Sequence, residues 1–563
     1  MKEHSRSANF APRSTRIRSA ALAGVARAAA LLAVAAYPAH AATYPTPAVG
    51  STYKHVLLVS VDGLHAVDLS NWIEKHPAGN IAKLARHGII YPNAFTTAPS
   101  DSFPGMLAQV TGATPATAGL FYDDSYDRKE YKSKAFYTSQ GKADPGCTGK
   151  VGTEATNFED LDKTYDFSTA LVADYTGGGT VGKVYTQLDT NNMQRRLVGG
   201  KCVPVFPHEY VRTNTIFEVI KAAGKRAVWS DKHPAYEDLA GPSGKGLDEL
   251  YAPEINSQDT LDKGAQTGDD YTTSYTGVRT YDALKVKAVL NWIDGLDGAG
   301  KVKEPVPAIF GTNFQSVSVG QKLAKAGDAD SDKSLVGGYL DSNATPGNAL
   351  TLQLQFIDAS LGKFEQELVK KNLAASTLII VSAKHGQSPI DKTDRVAISD
   401  SPYSKAPGFG TNGFEICDDE ALVWLSPELQ KATDKATGKS YYAEAKAYIL
   451  AHATELHIDE LLDRTSLTPL YGDPFTNSRV PDFIALTNHG VICTGGSKLA
   501  EHGGFSDDDR NVALLLSAPQ LKPEYVEALT YTTQIAPTIL HALGLNPNKL
   551  EGVQKEGTPI LGH

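Results

Sequence analysis

The chain has 563 residues, 41% hydrophobic and 21% charged, with a formal net charge of −10. That length allows several domains and ample apolar material for a large core. The negative balance excludes the basic face expected of a nucleic-acid binder, so no nucleic-acid-binding surface is evident.

The first forty residues differ from the rest. Lys2, Arg6, Arg13, Arg16 and Arg18 form a basic leader, Ala28 to Ala36 is an apolar run, and Ala39-x-Ala41 is a small-x-small cleavage signal. The pattern predicts a secretory signal peptide over residues 1–41 and a secreted or periplasmic mature chain over 42–563. The apolar run is far shorter than the ~20 residues a membrane span needs, and no later segment is long and apolar enough. Export bears on the four cysteines, Cys147, Cys202, Cys417 and Cys493. None stands in a tight metal-binding spacing, and an even count in an exported chain favours two disulfides. Of the three pairings, Cys147–Cys202 with Cys417–Cys493 closes the shorter loops and is the one expected.

His55 to Val61, "HVLLVSV", is an apolar strand that delivers Asp62-Gly63 to a turn. "AGNIAKLARHGIIYPNAF" follows, with Ile81, Leu84 and Ala85 at helical spacing and Gly88 at the stop. Strand–helix alternation recurs at "TIFEVIKAAGKRAVWSD", "VPAIFGTNF", "LQLQFIDASLGKFEQELVKKN" into "TLIIVSAKHG", and "NVALLLSAP". Such alternation implies an α/β fold with a mostly parallel central sheet and helices on both faces. Two polar stretches break the rhythm, about 122–207 and about 399–482. Each begins just after a candidate site segment, so both read as loop insertions capping the site. "DYTGGGTVGK" within the first lacks the Gly-Lys-Ser/Thr of a phosphate-binding loop, because Val184 follows Lys183, and reads as a surface loop.

Four strand-like segments end in polar or ionisable residues: Asp62, Asn313, Lys384-His385, and, after a short loop, His502. Strand ends are where open α/β sheets hold their ligands. A fifth segment, "TTAPSDSFPGMLAQVTG", sets Ser102 before Phe-Pro-Gly and a helix, whose unpaired N–H groups favour an anion such as phosphate. Alone, each has a simpler reading: a turn Asp, an N-cap Ser, a structural His. A further polar cluster, Asp231, Lys232, His233, Tyr236 and Glu237, follows "KRAVWS" and reads as a loop hydrogen-bond network facing the same cleft.

Together these segments resemble the alkaline phosphatase superfamily, most closely its nucleotide pyrophosphatase/phosphodiesterase branch. The resemblance runs through "HVLLVSVDGL", "PSDSFPGMLAQVTGATPATAG", "TLIIVSAKHGQSP", "EHGGFSDDDRNVALLL" and "TTQIAPTILHALGL". It implies an alkaline-phosphatase-like three-layer sandwich and a phosphoric ester hydrolase with two zinc ions. It makes Ser102 the nucleophile of a covalent phospho-enzyme and Asp62, Ser102, His385 and His502 metal ligands. Asn313 and Asp124 fall at positions that face the substrate, a small phosphate ester or nucleotide-like molecule.

This chain departs from that pattern at three places. Lys384 stands where the family has a metal-binding Asp, and Asn313 stands where it has another, with no His following. A phosphoryl-binding Asn aligns only with Asp124. An ammonium has no lone pair for a metal, so the expected cofactor is a divalent metal, zinc, with fewer ions than the usual two. Three readings of Lys384 stay open: a fixed charge replacing a metal and serving catalysis with Ser102, a side chain turned to solvent, or a site that has lost catalysis. The expected function is a secreted phosphodiesterase-like hydrolase. The alternatives are a silent ligand-binding member of the fold and a hydrolase of phosphonate or sulfate esters. The sulfate reading is weakened because no Arg follows in "SFPGM".

Overall fold

The computed structural model describes residues 53–155, 183–184, 188 and 190–562. The leader over residues 1–41 and nearly all of "DYTGGGTVGK" lie outside the described residues.

Nine strands form the central sheet: β1 (His55–Val61), β2 (Gly88–Ile90), β3 (Lys183–Val184), β4 (Val228–Ser230), β5 (Glu249–Tyr251), β6 (Ile309–Phe314), β7 (Thr377–Ser382), β8 (Leu514–Ser517) and β9 (Glu524–Tyr525). Their order is β9-β2-β8-β7-β1-β6-β4-β5-β3. Pairing is parallel except where β8 runs antiparallel to both β7 and β2. The mixed sheet is therefore mostly parallel, as the strand–helix alternation implies.

β1 lies at the centre, with Val56 paired to Ile309 of β6 and to Leu378 of β7. Successive side chains of a strand point to opposite faces, and here both faces are buried. Val56 and Leu58 pack with Met106, Leu107 and Val110 of helix α1 (Ser102–Thr111) and with Ile539 of α4 (Ile535–Ala542). Leu57, Val59 and Val61 pack with Val289 and Trp292 of α2 (Tyr275–Ile293) and Ile357 and Phe364 of α3 (Asn348–Lys370). Double burial explains why β1 and β7 read as continuous apolar runs rather than alternating ones.

Gly88 does not stop the preceding helix, which ends at Ala85. It opens β2 opposite Ser517, where a Cβ would press on the carbonyl of Leu516. Three strands of the later polar stretch, Phe414–Cys417, Ala421–Trp424 and Ile458–Leu462, join Phe483–Thr487 just beyond it in a separate four-stranded antiparallel sheet. Val423, Leu425, Phe483 and Ile449 of the helix Tyr441–Ala451 give it a core of its own. Two disulfides are present, Cys147–Cys202 and Cys417–Cys493, the expected pairing. Among the described residues, no helix is long and apolar enough to cross a membrane.

Candidate active site

Parallel strands β1, β6, β7 and β4 carry their polar residues to the same end of the sheet. Asp62 follows β1, Asn313 is the fifth residue of β6, Lys384-His385 follow β7, and Asp231-Lys232 follow β4. Because β8 runs the other way, the loop before it brings His502 to that end too. Ser102 arrives on α1. Its hydroxyl is not spent on capping: Asp101 is the N-cap, and its Oδ1 accepts the Phe103 N–H at 3.2 Å. Ser102 is therefore the first residue of the helix rather than its cap.

Asp62 is fully buried at the centre of this group. Its Oδ1 accepts Asn313 Nδ2 at 2.6 Å. Its Oδ2 accepts a close hydrogen bond from Gln315 Nε2, and Ser102 Oγ, His385 Nε2 and Lys232 Nζ lie 3.4, 3.4 and 3.3 Å from it. Lys232 Nζ also donates to Ser102 Oγ at 2.8 Å. Gln315 is held from behind by Asp282 of α2, whose carboxylate accepts the N–H groups of Gln315 and Ser316 and pairs with Lys285 at 3.0 Å. Burial alone would raise the Asp62 pKa, but the Lys384 and Lys232 ammoniums and the His385 ring hold it well below the usual carboxylate range.

Lys384 does not turn to solvent; it is fully buried. Its Nζ donates to Asp231 Oδ1 at 2.7 Å and sits 3.8 Å above the Tyr236 ring, which stacks on Phe103 at 4.4 Å. Asp231 is fixed in turn by Trp229 Nε1 at 2.9 Å. Burial lowers the Lys384 pKa, opposed by the carboxylates of Asp231 and Asp62. The ammonium hydrogen-bonded to Ser102 is thus that of Lys232. Of the polar cluster after β4, Asp231 and Lys232 enter the site, whereas His233 bonds Glu254 at 2.8 Å and Glu237 bonds His208 at 2.7 Å.

His385 Nδ1 lies 2.7 Å from the Gly386 carbonyl, and its ring is 4.1 Å from that of His502. His385 Nε2 and His502 Nδ1 are buried without a hydrogen-bond partner. Burial depresses both imidazoles, His502 strongly, and so favours their neutral forms. His502 Nδ1 lies 3.6 Å from Asp101 Oδ2, and burial pushes the Asp101 carboxyl up to about 7. Asp124 donates its backbone N–H to Asp123 Oδ1, beside Tyr122, whose hydroxyl donates to Asp418 at 2.8 Å.

The donors do not fit the two-metal centre that the resemblance implies. His385 Nε2, His502 Nδ1 and Asp101 Oδ2 are ligand-like atoms without a hydrogen-bond partner, but that is fewer than two zinc ions of three or four protein ligands each need. Both oxygens of Asp62 already accept N–H donors, and Lys384 and Asn313 stand where the resemblance implies carboxylates. Among the described residues, no group of three His, Cys, Asp or Glu side chains could hold a metal ion.

Fold and site layout define an alkaline-phosphatase-like α/β protein. Its sequence matches the family of type I phosphodiesterases and nucleotide pyrophosphatases over residues 56–509, and the chain belongs to that family. Murine ectonucleotide pyrophosphatase/phosphodiesterase 5 is similar in structure, with a TM-score of 0.52 at 13% identity over 88% of this chain and 96% of that one. An inactive form of that mouse protein has been solved in complex with AMP. The wild-type alkaline phosphatase PafA is similar too, at a TM-score of 0.57 and 14% identity over 90% of this chain and 97% of that one. No curated protein sequence gives a significant match.

Proposed function

We propose that this protein is an exported hydrolase of small phosphoric esters, diesters or nucleotide-like molecules, with Ser102 as its nucleophile. The observation that carries the reading is the contact of Ser102 Oγ with Lys232 Nζ at 2.8 Å and Asp62 Oδ2 at 3.4 Å, at the start of α1. The hydroxyl proton is directed at Asp62, and the ammonium stabilises negative charge developing on Oγ. The Oγ–P bond forms as the P–O bond to the leaving alcohol breaks, and the alcohol departs with the proton. Water then hydrolyses the phosphoserine and restores the hydroxyl. Family membership and the AMP complex of the mouse relative support the substrate class. The basic leader ending at Ala41 and the two disulfides support export. Zinc belongs to the family's chemistry, and no step here runs through it. The polar segments about 122–207 and 399–482 are proposed as caps that set specificity. Tyr122–Asp418 and a 2.7 Å hydrogen bond from Tyr471 to the Ala98 carbonyl support this, since both join the second segment to the neighbourhood of Ser102.

The test is turnover of bis(p-nitrophenyl) phosphate by the purified mature protein and its Ser102→Ala variant, with acid-quenched peptide mass spectrometry. Turnover lost in the variant, with phosphate trapped on Ser102 in wild type, is the expected result. Full burial of Ser102 and the occupied Asp62 carboxylate favour a second reading, a ligand-binding protein without turnover. Nucleotide binding with no hydrolysis would select it.

A further inference from the structure

Four buried charges set this pocket apart: Asp62 and Asp231 against Lys232 and Lys384. Lys232 Nζ reaches both Asp62 Oδ2 (3.3 Å) and Ser102 Oγ (2.8 Å), and so stands between the central carboxylate and the hydroxyl. Lys384 is equally built in. Its ammonium is clasped by Asp231 and the Tyr236 ring, and Tyr236 stacks on Phe103, the residue next to Ser102. Its backbone is pinned as well, because Gly105 of α1 lies so close that a Cβ would overlap the Lys384 carbonyl. Neither lysine is a surface side chain that fell inward.

These ammoniums do two things to a cation. They take up carboxylate charge that a divalent ion would otherwise neutralise, and they repel any cation placed beside them. Asn313 and Gln315 act in the same sense, because each points an amide N–H at Asp62. Lys232, Asn313 and Gln315 converge on one result: the Asp62 carboxylate is satisfied by donors from the chain itself. In the pocket His385 Nε2, His502 Nδ1 and Asp101 Oδ2 are buried without a hydrogen-bond partner, but among the described residues no group of three His, Cys, Asp or Glu side chains could hold a metal ion. Donor groups fixed by the fold suit an oxyanion, since Lys232 presents N–H to whatever replaces or joins the Ser102 hydroxyl.

We propose that Lys232 and Lys384 form a built-in ammonium pair that takes the place of the family's divalent metal, so that the pocket holds the phosphoryl group of its ligand without bound zinc. This rests on the reading of the Ser102 pocket as the phosphoryl site, but not on turnover.

The test uses the mature protein purified with zinc and passed through metal-free gel filtration. Zinc is then counted by plasma mass spectrometry, and inorganic phosphate binding is followed calorimetrically with and without chelator. The expected result is substoichiometric zinc and phosphate binding indifferent to chelator, weakened roughly tenfold or more in Lys232→Met. The double variant Lys384→Asp, Asn313→Asp is expected to bind zinc at least about tenfold more tightly than wild type. A zinc ion per chain in wild type that His385→Ala or His502→Ala removes would overturn the proposal. Phosphate binding that needs zinc, or no phosphate binding by the metal-free wild type, would overturn it too. These wild-type measurements decide even where a variant fails to fold. Metal-free phosphate binding without ester hydrolysis would leave this proposal standing and remove the hydrolase reading instead.

Discussion

Lys384 and Asp231 form a fully buried ion pair across two strand ends, Nζ to Oδ1 2.7 Å, with no part of either side chain exposed. Removing one partner leaves an uncompensated buried charge, which costs about 3–5 kcal/mol. Lys384→Met and Asp231→Asn should each lower the unfolding free energy by that order. The double variant should recover much of the loss, because no lone charge remains. Urea denaturation of the four proteins in the cycle checks this. Strictly additive losses would show that the pair does not act as a unit.

Lys232 makes a different prediction, kinetic rather than structural. If its ammonium stabilises charge on Ser102 Oγ, Lys232→Met should cost about 2.7–4 kcal/mol of transition-state stabilisation, two to three orders of magnitude in kcat/KM. Lys232→Arg should fall between, since it keeps the charge but cannot keep the 2.8 Å geometry. Turnover of an aryl phosphodiester that is unchanged in the methionine variant would take Lys232 out of the chemistry.

Gly105 should tolerate no side chain. A Cβ there overlaps the Lys384 carbonyl, so α1 must retreat from the end of β7 and carry Ser102 with it. Gly105→Ala is expected to cost about 1–3 kcal/mol and to impair turnover without touching a charged group. A melting curve and a rate assay on the same preparation separate the two effects.

Glu130 gives a pH signature away from the site. Burial pushes its carboxyl up to about 8 from an unperturbed 4.5, while its hydrogen bond from Tyr210 pulls the other way. A raised folded-state pKa means that the folded protein binds the proton more tightly. This contribution to stability is full below pH 4.5 and is lost as pH rises through about 8. Glu130→Gln keeps an acceptor for Tyr210 and cannot ionise. The variant should therefore gain on wild type by a few kcal/mol as pH rises to about 8, since each tenfold difference in proton affinity is worth about 1.4 kcal/mol. Equal pH dependence of melting in both proteins would contradict this.

The Cys417–Cys493 bridge spans 76 residues. Chain-entropy arguments give a loop of that length about 4–5 kcal/mol of stabilisation. Cys417→Ala with Cys493→Ala should accordingly make the segment around the separate antiparallel sheet open first. Limited proteolysis mapped by mass spectrometry reads this out, with cleavage expected between residues 399 and 493 before any in the central sheet.

How much of this was legible in the sequence depended on the kind of signal each residue carries. Asp62, Asn313, Lys384 and His385 could be placed because each ends or follows an apolar run, and a parallel sheet aligns such ends by itself. Ser102 was visible through the Phe-Pro-Gly that starts a helix, although the adjacent Asp101 took the capping role. Lys232 reads only as one member of a polar cluster, since nothing local says which of Asp231, Lys232, His233 and Glu237 turns toward the site. Partners far along the chain decide it: Asp62 and Ser102 for Lys232, Glu254 for His233, His208 for Glu237. Gln315 carried no signal, because a lone glutamine has no spacing or charge to mark it. Its role follows from Asp282 fixing its backbone.

The central place of β1 has a consequence for how the chain is made. It is the first of the nine strands to leave the ribosome, yet its neighbours β6 and β7 follow only about 250 and 320 residues later. At synthesis rates of roughly 5–20 residues per second, that is a wait of about a quarter of a minute to more than a minute. For that interval a seven-residue apolar strand has both edges unpaired, a template for pairing with any other nascent chain. Solubility during synthesis should therefore be governed by β1 and whatever shields it, and expression yield should respond more to a holdase chaperone than to surface charge.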